Sequence, residues 1–213
     1  MIQGGRGDVI EIGNSSTVAT ALVEDNADTE SVRGCPSLLS ANRSIAFSQL
    51  CADAAACQRC RSMNGRPRVL SPANGGPGAR VIFIGEAPGR LGGDRTGVPF
   101  SGDQSGRNFE RLLSAANLTR AEIFVTNAIL CNPRDKRGRN RSPARKELAS
   151  CGDLLSRQLA VITAPVVVTL GAVALKAVDA LAAHGLQLGE VVGQAIPWQG
   201  RLLVPLYHPG PRA

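Results

Sequence analysis

Aromatic side chains are scarce in this 213-residue chain: five Phe, one Trp and one Tyr, 3% of the total. A core must therefore be built from Val, Leu, Ile and Ala, which the 43% hydrophobic content supplies. Each Phe then invites the question of a role beyond packing. Histidine is scarcer still, with only His184 and His208, so imidazole chemistry has two possible locations. Long apolar runs are missing too. None reaches the eighteen or so residues of a membrane span, and the longest are broken by Pro165 and Gly171. Residues 1–23 carry no continuous apolar stretch behind a basic start. That predicts no secretory leader and an intracellular setting, with no membrane partner. Thiols stay reduced there, so the six cysteines are expected as ligands or buried thiols rather than disulfides.

Acids are outnumbered. Seventeen Asp and Glu face 24 Lys and Arg, for a net charge of +7 and a pI near 9.6. Clustered cations gain affinity for polyanions by releasing counterions from phosphate, and these cations do cluster. Arg134, Lys136, Arg137, Arg139, Arg141, Arg145 and Lys146 lie between Cys131 and Cys151, with Asp135 the single acid among them. A charge run is often only a solvated loop. Pinned by a cysteine at each end, this one predicts a phosphate-binding arch.

Residues 1–33 are rich in Gly, Ser, Thr and acids with weak periodicity, and are expected to form a poorly packed extension. Residues 34–213 read as one domain. Pro36–Ala56 is Ala- and Leu-rich and predicts a helix. Four apolar runs predict strands: Arg80–Ile84, Ile123–Thr126, Val166–Leu170 and Leu202–Leu206. Helical patterns over Asn108–Ala116, Pro143–Ile162 and Ala172–Ala183 separate several of them. This alternation predicts an α/β fold, a three-layer α/β/α sandwich around a mostly parallel four-stranded sheet. In open parallel sheets ligands bind beyond the carboxyl ends of the strands. Three such ends carry Glu86, Asn127 and His208, an acid, an amide and an imidazole around one crevice.

Cys57 and Cys60 form a C-x-x-C pair, and Cys131 and Cys151 follow downstream. Four such sulfurs suit zinc or an iron–sulfur cluster, and spacing alone leaves both open. Cys51 lies close enough to Cys57 to be an alternative ligand, and Cys35 is left over. The turn Gly85-Glu86-Ala87-Pro88-Gly89 is not a P-loop, since no Gly-Lys-Ser/Thr follows, nor a dinucleotide-binding G-x-G-x-x-G. Taken alone it reads equally well as a tight strand-to-helix connection.

Together with Gly97-Val98-Pro99-Phe100-Ser101-Gly102, Thr126-Asn127 leading to Cys131, and His208-Pro209, that turn resembles the motifs of the iron–sulfur uracil-DNA glycosylases, usually called family 4. The resemblance runs over roughly residues 50–210, in four ordered motifs. It implies a [4Fe–4S] cluster on Cys57, Cys60, Cys131 and Cys151. The implied activity is hydrolytic removal of uracil from DNA, leaving an abasic site, by a monomeric enzyme. Glu86 and His208 become the expected catalytic residues. Gly85, Ala87, Phe100 and Asn127 are expected to hold the base. Arg134, Lys136, Arg137, Arg139 and Arg141 are expected to hold the DNA backbone. The residue chemistry agrees. An Asn amide can accept from uracil N3–H and donate to O4, Phe offers a stacking face, and His can donate to O2 as charge develops there. Each has a plainer reading: a strand-end Asn capping a turn, a core Phe, a structural His, and a Glu favoured at a helix N-terminus.

Three departures bear on mechanism. Ala87 stands where some glycosylase families carry a water-activating Asp, and Gly93 where related sequences often carry an acid. Both shift the expected emphasis toward leaving-group stabilisation. No His lies between Cys131 and Cys151, which disfavours the covalent DNA trapping of an X-type branch. Competing expectations are a glycosylase for another deaminated base such as hypoxanthine, an iron–sulfur DNA-binding protein with weak catalysis, and a zinc-stapled nucleic-acid module.

Overall fold

The computed structural model describes residues 38–210, all within one unit spanning Pro36–Ala213. The extension expected over residues 1–33, and Cys35, lie outside the described residues. The elements in chain order are α1 (Leu38–Ala55), β1 (Val81–Gly85), the one-turn α2 (Gly93–Thr96), α3 (Gln104–Ala115), β2 (Ile123–Asn127), α4 (Arg145–Val161), β3 (Val166–Leu170), α5 (Ala172–Asp179), the short α6 (Leu188–Val191), β4 (Ile196–Trp198) and β5 (Arg201–Leu206). No described helix is long and apolar enough to cross a membrane.

The sheet runs β2-β1-β3-β5-β4. The first four pair in parallel, as the continuous apolar runs imply, and β4 pairs antiparallel with β5. The expected four-stranded sheet thus gains a fifth strand. β4 is three residues long and contains Pro197, so it shows no alternation to read. Proline is confined to edge strands because it donates no ladder hydrogen bond. The turn into β5 is Gln199-Gly200, with φ of 50° and 71°. Two successive left-handed residues match the twist of a tight hairpin.

Period-two alternation sends β residues to opposite layers. Ile82, Ile84, Phe124, Val167 and Leu203 pack with Leu50 of α1, Leu154 and Leu155 of α4 and Leu175 of α5. Val81, Phe83, Ile123, Val125 and Val168 pack with Phe109 and Leu113 of α3. The result is the three-layer sandwich expected. Two of the long helices, α3 and α4, have a local cause at their first turn. Asp103 caps α3, its Oδ1 accepting from Gly106 N at 2.9 Å. Glu147 accepts from Ala144 N at 2.8 Å in the first turn of α4. Buried Thr126 of β2 donates to Gln158 of α4 at 2.6 Å, fixing that helix on the sheet. The parallel register sets Gly85 beside Asn127, which places the ends of β1 and β2 at the same level.

Candidate active site

A cavity of about 230 Å³ opens beyond the carboxyl ends of these strands. Glu86, Ala87, Phe100, Asn127 and His208 all line it, so residues far apart in the chain meet in one place. Gly85, expected to hold the base, is not among the lining residues and lies instead behind Asn127 and Phe100. A Cβ there would fall 2.5 Å from Asn127 Oδ1 and 2.8 Å from the Phe100 ring. The missing side chain is what lets the amide and the aromatic face close over the end of β1. Asn127 is only 2% exposed, yet among the described residues its side-chain amide has no hydrogen-bond partner within the protein. A buried amide lining a cavity and unpaired within the protein is suited to a ligand.

Phe100 has φ 48°, an uncommon conformation for a bulky residue. Its surroundings hold it there. Arg120 donates to Pro99 O at 3.1 Å and Phe100 O at 2.7 Å, and is itself paired with Glu110 at 2.6 Å. The ring lies 4.9 Å from Phe109 and 5.7 Å from the His208 imidazole, centroid to centroid. His208 is set by the segment after β5. Asn108 of α3 donates to Pro209 O at 3.2 Å and Gly210 O at 3.3 Å, and Gly171, at φ 96°, lies against the His208 Cβ. Burial pushes the imidazole pKa below its ordinary 6.5, against the opposing pull of the Glu86 and Asp103 charges. His208 is therefore neutral at pH 7, with one N–H to donate.

Asp103 is a second carboxylate at this site that the sequence reading missed. Its Oδ1 caps α3, while Oδ2 faces Gly89 and Gly92, where Cβ atoms would fall 2.9 and 2.4 Å from it. An Asp before a helix reads as a cap and nothing more. The available signal was its position shortly after Phe100, opposite a glycine-rich loop.

The basic loop divides in two. A bridge between Arg134 and Asn140 closes a short hairpin with its turn at Asp135–Gly138. Lys136, Arg137 and Arg139 lie on its outer part, and Arg139 shares Asp135 at 3.0 Å. Arg134 and Arg141 instead turn inward. Arg134 pairs with buried Asp94 and donates to Asn132 Oδ1 at 2.7 Å. Arg141 grips both oxygens of Glu147, at 2.7 and 2.6 Å, and holds its carboxyl down at about 2. Asn132 donates to Pro88 O at 2.6 Å and to Asn140 Oδ1 at 3.0 Å, which in turn accepts from Arg90 N at 3.0 Å. The root of the loop is thereby stitched to the Gly85–Gly89 turn.

The four expected ligand cysteines influence one another electrostatically. Burial raises Cys131 to about 12, and Cys151, Cys57 and Cys60 push it the same way. Cys151 is raised by burial and by Cys60 and Cys57. Cys51 is raised by burial alone and is not among the thiols that influence the others. Arg59, inside the C-x-x-C, reaches α4 through Asp153 at 3.0 Å and Ser150 O at 3.4 Å, joining the pair to the helix that carries Cys151. Among the described residues no three Cys, His, Asp or Glu side chains converge closely enough to enclose a single metal ion.

A cavity at the carboxyl ends of a parallel sheet, with an amide, an aromatic face and a neutral imidazole, defines a small-ligand site of the α/β class. Residues 72–213 match the family model of the Uracil DNA glycosylase superfamily, and the chain belongs to that family. It is 33% identical over 155 residues to the type-4 uracil-DNA glycosylase of Thermotoga maritima, covering 72% of this chain and 76% of that protein. It is 31% identical over 159 residues to the type-4 uracil-DNA glycosylase of Saccharolobus solfataricus, covering 72% and 70%. Similarity extends to the type-5 uracil-DNA glycosylase of Pyrobaculum aerophilum, 31% identical over 163 residues, covering 69% and 67%.

Proposed function

We propose that this protein is a uracil-DNA glycosylase of the type-4 kind, which flips a uracil nucleotide out of DNA and hydrolyses its N-glycosidic bond. The carrying observation is the buried Asn127 amide, without a partner among the described residues, lining one cavity with Phe100 and His208. Flipping brings the base out of the stack, where its edge and face can be read. Asn127 accepts from N3–H and donates to O4, a pattern cytosine inverts. Phe100 stacks on the base. His208, neutral and already desolvated, donates to O2 as the bond breaks and negative charge gathers there. Ala87 supplies no base, so water is oriented by Glu86 from one side and by the free Asp103 oxygen from the other. Lys136, Arg137 and Arg139 take the phosphate backbone, while Arg134 and Arg141 hold the loop in shape. The enzyme acts as an intracellular monomer.

The donor set fits a [4Fe–4S] cluster. Cys57, Cys60, Cys131 and Cys151 would hold it. A cube spreads its four thiolates over its corners, which suits cysteines that influence one another without closing on a single ion. When bound it supplies a covalent staple and no redox step, since hydrolysis needs none. Arg59 and Arg68 are the cations beside it.

The test is release of free base from single- and double-stranded oligonucleotides carrying uracil, hypoxanthine or cytosine. Uracil release that leaves an alkali-labile abasic site is the expected result. Preference for hypoxanthine would transfer the reading to another deaminated base. Binding without release from any oligonucleotide would leave a DNA-binding protein.

A further inference from the structure

Arg68 is half-buried beside the cysteine-bearing segments. Val69 N donates to Leu130 O at 2.8 Å, laying this segment against the residue before Cys131. Arg68 Nη1 donates to Arg66 O at 2.7 Å, and Nη2 donates to Cys57 O. Nε is buried and has no acceptor among the described residues. The guanidinium is thus bound to two carbonyls and no carboxylate, and of its three nitrogens Nε alone has no acceptor among the described residues. The bond from Nη2 to Cys57 O and that from Val69 N to Leu130 O bring Arg68 beside two of the four cysteine-bearing segments. Buried donors are almost always paired, and one without a partner calls for an explanation.

We infer that Arg68 is the cationic partner of the cysteine centre: its free Nε–H is held for a sulfur of the group bound by Cys57, Cys60, Cys131 and Cys151. This rests on the four-cysteine iron–sulfur reading above. Thiolates buried together leave negative charge that a low-dielectric pocket tolerates only when it is offset. A guanidinium clamped at two nitrogens has its third direction predetermined, which a flexible ammonium cannot match. Hydrogen bonds and charges next to the sulfurs tune the potential of such a centre, and partners of this kind govern how firmly it is retained.

The experiment compares anaerobically purified wild-type, Arg68→Lys and Arg68→Gln proteins. Iron and acid-labile sulfide, visible circular dichroism, reduction potential by film voltammetry and the rate of iron transfer to a chelator are measured on each. Both variants are expected to lose iron roughly 10- to 100-fold faster than wild type, Arg68→Gln more than Arg68→Lys. The potential of Arg68→Gln should shift negative, because an added electron is no longer met by a cation. Should Arg68→Gln fail to load, Arg68→Lys decides: it keeps the charge and drops the Nε–H, and faster iron loss with altered dichroism supports the bond to sulfur. Loaded variants with wild-type potential and release rate would overturn the inference while leaving the cluster in place. Stoichiometric zinc without sulfide in the wild type would overturn the cluster reading itself, and this inference with it.

Discussion

At position 85 a single methyl group would lie within 2.5 Å of Asn127 Oδ1 and 2.8 Å of the Phe100 ring. Gly85→Ala is therefore expected to push both away from the cavity, cutting uracil excision by roughly tenfold or more, since small misplacements at a reacting centre are costly. The cost in stability should be about 1–3 kcal/mol, as for other overpacked sites. Parallel single-turnover kinetics and thermal melting check both halves. His208→Ala should slow excision more than Glu86→Gln, by about 100- to 1,000-fold, the usual worth of a preorganised donor. Water can partly replace a carboxylate that orients water, but not a desolvated N–H. If Glu86→Gln is the more damaging change, water activation dominates. The His208 pKa lies below 6.5 because burial disfavours the cation. The working neutral form should then persist as pH falls through 6.5, with the acid limb of the rate appearing only below it. Stability follows the same sign. The unfolded chain takes up the proton first, so this site favours unfolding increasingly as pH drops from 6.5 toward the folded pKa. Glu86, Phe100, Asn127 and His208 were legible in the sequence because each follows a strand or sits in a marked motif. Asp103 was not, because the capping role it also performs is a sufficient local explanation for it.

The arch between β2 and α4 is an element whose charges look alike in sequence and differ in structure. Arg134 finds Asp94 from another part of the chain, and Arg141 finds Glu147 on the first turn of α4. Neither partner is visible in a run of cations, since ion pairing depends on where the hairpin folds back. Replacing Lys136, Arg137 and Arg139 by Ala should weaken DNA binding and reduce its salt slope by about 0.7–0.9 for each phosphate no longer neutralised, with base choice unchanged. Arg141→Ala should instead destabilise the fold by roughly 2 kcal/mol, the scale of a charged hydrogen bond, read by denaturant titration. Equal effects on affinity and stability in the two sets would erase the division. The depressed Glu147 carboxyl makes a further demand. Its stabilisation is complete above the ordinary carboxylate value of 4.5 and is lost as pH falls from there through about 2. The same reasoning explains β4: a three-residue edge strand containing Pro197 is defined by its partner β5, and nothing in its own pattern announces it.

Across the molecule, the cavity belongs to the sheet and the stapling of the loops to the proposed cysteine cluster. The four parallel strands bring Glu86, Asn127 and His208 to one cavity, which β-branched runs and strand-ending residues made readable. The proposed cluster on Cys57, Cys60, Cys131 and Cys151 would tie the segment after α1 to α4 and to the start of the basic arch. Removal of iron by a chelator under reducing conditions should lower the melting temperature and loosen DNA binding before it abolishes base recognition, because the cavity is built on the sheet. Loss of base recognition first would put the staple inside the catalytic unit. The central claim is that the cavity around Asn127 excises uracil. Single-turnover release of uracil from a defined oligonucleotide, with wild-type and Asn127→Ala proteins of equal DNA affinity, tests it most directly. We predict uracil release by the wild type and a loss of about 100-fold or more in the variant; equal release by both would contradict the account.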